Sequence, residues 1–157
     1  MDRYSTPTNE HEARVYLAKL VRHFKTSKVD LIWSERMKNG IYNDRPITRR
    51  PRITIGPKSW RGLKSALVHE FAHHLAGLKA KPIHGKDFQR SLMRVVNYCY
   101  EDPKAYPWAS EYERVKGYGT RRLKLEPPTY WPEFDAIRTD ELHKFVQLPL
   151  NLVEGVE

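Results

Sequence analysis

The chain has 157 residues, 39% of them hydrophobic, and a formal net charge of +9, enough for one domain with a real core. Its only cysteine is Cys99, which excludes an intrachain disulfide and a four-cysteine zinc site and fits a reducing compartment. No stretch approaches the roughly 18 apolar residues of a membrane span, and the first twenty residues lack the apolar run of a signal peptide, so a cytoplasmic protein with no membrane partner is expected.

Residues 9–24, NEHEARVYLAKLVRHF, place Ala13, Leu17, Leu20, Val21 and Phe24 at helical spacing. Thr8 suits the N-cap, and Glu10 and Glu12 suit the positive end of the helix dipole. VDLIWS puts Val29, Leu31 and Trp33 on one face and reads as a strand. Asn39-Gly40 is a turn signal, and Ile41 and Tyr42 start a second strand. RITIG alternates Ile53 and Ile55 with Arg52 and Thr54, which reads as a third, half-exposed strand at a sheet edge.

Ser59 is placed to cap a long helix ending near Gly77. Leu63, Leu67, Phe71, Leu75 and Leu78 make its core face. His69 and His73 fall roughly 40° apart on another side, with Glu70 beside them. Little bulk covers that side, because Gly62 and Ala66 share it. After Gly77 and Pro82 the chain can double back to His84-Gly85. A further helix follows, KDFQRSLMRVVNYCY, with Phe88, Leu92, Val95, Val96 and Cys99 on its core face.

Histidines four apart stand one turn apart on the same helix side and can both reach one ion at about 2.0–2.1 Å. His69, Glu70 and His73 form this H-E-x-x-H pattern, as HEFAH. Zinc lowers the pKa of its water to roughly 7, and Glu70 can take the remaining proton and hand it to a leaving amine. A catalytic zinc needs three protein ligands and an open position. His84 is the preferred third ligand, with Glu101 as the alternative. The Ala76 and Lys79 positions exclude the longer metzincin pattern. His74 lies about 140° from His69, at the border of the core face, and reads as structural. His11, His23 and His143 have no metal-like spacing, and Cys99 reads as core.

LKSALVHEFAHHLAG followed by HGKDFQRSLMRVV resembles the SprT-like metallopeptidase family. The match runs position by position through His69, Glu70, His73, His84, Gly85 and Phe88, and weaker similarity reaches back to VDLIWS and RITIG. The resemblance implies an α+β, zincin-like metallopeptidase domain: a small mixed sheet, an active-site helix and flanking helices. It implies one zinc per chain and proteolysis of a protein or peptide substrate, and in Spartan-type members action on DNA-bound proteins. This catalytic core is expected over residues 1–100. Many relatives carry a cysteine zinc ribbon beyond it, which one cysteine cannot build. A non-catalytic zinc-containing module that binds nucleic acid or protein is the competing class, and Glu70 is the residue such a module would not need.

The charge is uneven. Residues 1–68 hold 15 Lys and Arg against 6 Asp and Glu, so the basic excess precedes the histidines. Arg45, Arg49, Arg50, Arg52, Lys58, Arg61 and Lys64 are the candidates for sequence-independent contacts to DNA phosphates. Zincin sites commonly pair an extended peptide with an exposed strand, and Arg52, Ile53, Thr54 and Ile55 are nominated for that role. Residues 101–157 hold six of the eleven prolines and eight of the eighteen aromatics, which predicts an irregular extension packed on the core. Thr139 is the expected cap of a short helix there.

Overall fold

The computed structural model describes residues 1–44, 50–59, 62–77, 84–108 and 110–111. The first helix, α1, runs Glu10–Phe24. Strands β1 (Asp30–Trp33), β2 (Ile41–Asn43) and β3 (Arg52–Ile55) follow, then α2 (Leu63–Ala76), α3 (Lys86–Cys99) and a short 3-10 turn at Pro103–Ala105. The class is α+β. Leu78, Pro82, His143, the helix expected at Thr139 and residues 112–157 lie outside the described residues.

Local signals fixed these elements with small shifts. The cap of α1 is Asn9, whose side chain accepts the amide N–H of Glu12. Thr8 instead donates its amide and hydroxyl to the Glu12 carboxylate, at 2.7 and 2.8 Å. The reciprocal pattern satisfies donors that a helix start would otherwise leave open. Helix α2 begins later than expected, after Gly62 at φ 78°. Ser59 does not cap it. Its carbonyl accepts the Gly62 amide at 2.8 Å, and its own amide donates to Gly56 O at 3.1 Å, so it belongs to a turn.

The sheet order is β1-β3-β2. β1 pairs with β3 in parallel, with Leu31 opposite Ile53. β2 pairs with β3 antiparallel, with Tyr42 opposite Ile53. The expectation that Arg52–Ile55 forms a sheet edge is therefore corrected: β3 is the middle strand, bonded on both sides. Leu31, Ile53 and Ile55 point into the core. Ile32 and Ile41 both lie opposite Thr54 on the other face, where Ile32 and Ile41 are exposed.

Helix α2 runs through the middle of the molecule, packed against α1, α3, β2 and β3. Leu67, Val68, Phe71 and Ala72 are fully buried, and so are Phe88, Leu92, Val95, Val96 and Cys99 of α3. Tyr106 and Trp108 close the same core, so the start of the aromatic extension is built into it. Burial raises the Cys99 thiol to about 11, as expected of a core cysteine and not of a nucleophile.

The turn after β3 depends on a close backbone approach. A Cβ on Gly56 would lie 1.9 Å from the carbonyl oxygen of Ser34. That oxygen belongs to backbone and cannot swing aside. Gly56→Ala should therefore destabilise the fold by on the order of 2–3 kcal/mol, seen as a lower denaturant midpoint with an unchanged slope.

Candidate metal centre

His69 and His73 project from successive turns of α2. Their Nε2 atoms lie 3.2 Å apart. Two tetrahedral ligands at about 2.0–2.1 Å from one zinc would stand roughly 3.3 Å apart, so this pair fits such an ion as it stands. His84 enters from the start of α3. Its backbone carbonyl accepts the side-chain amide of Gln89 at 2.9 Å, which ties the loop to the helix behind it. One ring nitrogen from each of His69, His73 and His84 lies within 4.8 Å of the other two. These three histidines can hold a metal ion. Glu101, the alternative third ligand, is exposed beyond the end of α3 and is not one of the group.

The surroundings explain why the rings converge. Phe88, one turn into α3, packs against all three, with ring centroids 5.0, 4.3 and 4.8 Å from those of His69, His73 and His84. An apolar wall of this kind lowers the local dielectric and limits the positions the imidazoles can take. On the other side, Tyr42 of β2 lies parallel to the His73 ring at 6.3 Å.

Sequence reasoning missed Glu111. Its carboxylate is fully buried, and Oε1 lies 2.7 Å from His69 Nδ1. Tyr106 donates its hydroxyl to the other oxygen, Oε2, at 2.6 Å. Glu111 sits outside any periodic segment and 42 positions from His69, so no local pattern could have flagged it.

Glu70 is buried beside His69, only 3% exposed. It lies against the backbone just before β2: a Cβ on Gly40 would fall 2.5 Å from Glu70 Cγ and 2.6 Å from Oε1. The Asn39-Gly40 pair leads directly into β2, which starts at Ile41 as expected. The glycine is there because the carboxylate occupies the place of its side chain.

His74 is structural, as its position on the helix implied. It is buried, its Nε2 lies 2.9 Å from the Ser27 carbonyl, and its Nδ1 lies 3.3 Å from the Tyr42 hydroxyl. Burial holds its pKa below the ordinary histidine value, which suits a neutral ring donating to Ser27 and accepting from Tyr42. Burial also pushes the Tyr42 hydroxyl up to about 12, keeping it a donor.

Of the basic candidates, Arg50, Arg52, Lys58 and Lys64 fall among the described residues. Lys64 is corrected: it is 6% exposed, donates to the Tyr4 carbonyl at 2.7 Å and sits 4.3 Å from the Tyr100 ring centroid. It pins the amino-terminal segment and is not available to phosphates. Arg50 and Lys58 are exposed and Arg52 is partly buried. Arg45, Arg49 and Arg61 lie outside the described residues. Among the described residues, no helix is long and apolar enough to cross a membrane.

Comparison of the chain with protein-family models, with curated proteins and with solved structures finds no match.

If the three imidazoles share one ion, replacing any one by Ala should weaken binding of a divalent transition metal by more than ~100-fold. That exceeds the loss typical when only an outer hydrogen-bond partner is removed. Competition with a chromophoric chelator measures it, and His74→Ala should leave the affinity within a few-fold of wild type.

Proposed function

We propose that this chain is a zinc-dependent metalloendopeptidase with a zincin-like fold, related to the SprT-like family. The observation that carries the reading is the convergence of His69, His73 and His84 with a buried glutamate, Glu70, beside the first of them. Three neutral imidazoles suit zinc among the common biological cations, and three protein ligands leave a position for substrate or water. Bound there, zinc would supply Lewis acidity and a water acidified to near neutral pH.

The chain's own groups divide the remaining work. His69, His73 and His84 hold the ion. Glu70 accepts the proton of the attacking water at its carboxylate and delivers it to the departing amine nitrogen. Gly40 leaves room for that carboxylate. Phe88 keeps bulk water from the rear of the site. The substrate is an extended polypeptide. β3 has both edges occupied and cannot pair with it, whereas β2 lies at the sheet edge on the side of the histidines and presents Ile41–Asn43. A zinc site that served only folding would need no general base such as Glu70, and this weighs against a purely structural module. Action on DNA-associated proteins rests on the charge of the amino-terminal half, with Arg50 and Lys58 as its exposed described members.

Glu70→Gln keeps shape but cannot accept a proton. It should retain zinc and lose proteolysis of an unfolded protein substrate by at least ~100-fold. Gly40→Ala should act on the same group from outside: zinc content stays near wild type while kcat/KM falls, because the new methyl displaces the carboxylate. Full activity in the Gln variant would assign the base elsewhere.

A further inference from the structure

We infer that Glu111 is a positioning residue of the metal centre, and that it makes the segment after α3 part of the zinc site. The inference rests on the part of the metallopeptidase reading which makes the three histidines a zinc site. Three observations carry it. The Glu111 carboxylate is fully buried, and a carboxylate is not left in a protein interior without partners that compensate for lost water. Its two oxygens have different ones: Oε1 faces His69 Nδ1 at 2.7 Å and Oε2 takes the Tyr106 hydroxyl at 2.6 Å. The third observation is direction. With Nδ1 turned to Glu111, His69 presents Nε2 to His73 Nε2, 3.2 Å away.

The chemistry follows. A carboxylate at Nδ1 keeps the proton on that nitrogen, so the Nε2 lone pair is free to bind the ion. Its negative charge makes the imidazole a stronger donor to a cation. Its fixed place holds the ring against rotation about the Cβ–Cγ bond. Tyr106 holds the carboxylate in turn. The ring of Tyr106 packs edge-on against Trp108 with centroids 4.9 Å apart, and Trp108 Nε1 donates to the Pro103 carbonyl at 2.9 Å. The path from Pro103 through Trp108 and Tyr106 to Glu111 is thus a packed support behind one metal ligand. Because Glu111 faces the ligand nitrogen opposite the ion-facing one, zinc binding and docking of this segment stabilise each other.

The test uses the full chain and Zn2+ as the probe. Zinc affinity is measured by chelator competition and fold by circular dichroism, for wild type, Glu111→Ala, Glu111→Gln and Tyr106→Phe. Removal of an outer partner of a ligating histidine costs about 10–100-fold in metal affinity. Glu111→Ala should fall near the upper end. Glu111→Gln, which keeps an acceptor for Nδ1–H but loses the charge, should fall near ~10-fold. Tyr106→Phe should lie between wild type and the Gln variant. A purely structural role would lower stability while leaving the zinc affinity of the folded protein equal across the series. Should the Ala variant fail to fold, the isosteric Gln variant decides: folded protein with wild-type zinc affinity overturns the inference. Wild-type protein that binds no zinc would instead remove the metal centre itself. Wild-type protein that binds zinc but cleaves nothing would remove the peptidase reading and leave the role of Glu111 standing.

Discussion

Helix α2 carries Lys64, Ser65, His69, Glu70 and His74 into a protein interior, and each of these groups costs free energy there unless the fold gives it a partner. Much of the layout around α2 answers that demand. Lys64 is met by the Tyr4 carbonyl and the Tyr100 ring, and Ser65 by the Tyr100 hydroxyl at 2.9 Å. His74 is met by Ser27 and Tyr42. His69 is met by Glu111. Five separate parts of the chain thus close on one helix for polar reasons as well as apolar ones: the amino-terminal segment, the approach to β1, β2, the end of α3 and the segment after it.

This arrangement also packs the candidate ligands from several sides. Two of the three histidines come from successive turns of a helix held on several sides. The third comes from the first residues before α3, whose own face is locked into the core by Phe88 and Leu92. Phe88 touches all three imidazoles, so the helix that fixes the third ligand also forms the wall behind the other two. Gly40 lets the sheet edge come against Glu70. The helix pair and the sheet therefore meet at the two groups the proposed chemistry needs, a metal-binding cluster and a carboxylate.

Part of this was legible in the sequence because it is local. Ligand spacing along α2 is a property of the helix itself, and the apolar stripe of α3 gave its buried face residue by residue. The position of β3 was not legible. Alternation of Ile53 and Ile55 with Arg52 and Thr54 reports which face is buried. Edge or centre depends on β1 and β2 pairing to either side, which is a long-range choice. Lys64 was misread for a related reason: a lysine near a helix start looks solvated until the amino-terminal segment is seen to cover it. Ser59 looked like a cap, but its backbone was claimed by the turn with Gly56. Glu111 carried no signal at all. Its role comes from Tyr106 and Trp108 packing into the core and bringing the segment after α3 against His69.

The central claim is that three imidazoles from α2 and the start of α3 hold one zinc and leave a coordination position for chemistry. X-ray absorption at the zinc edge of the metal-loaded full chain tests it most directly. About three histidine nitrogens and one oxygen donor are expected near 2.0–2.1 Å, with no sulfur in the shell. A zinc–sulfur distance near 2.3 Å, or a shell closed by four protein ligands, would contradict it.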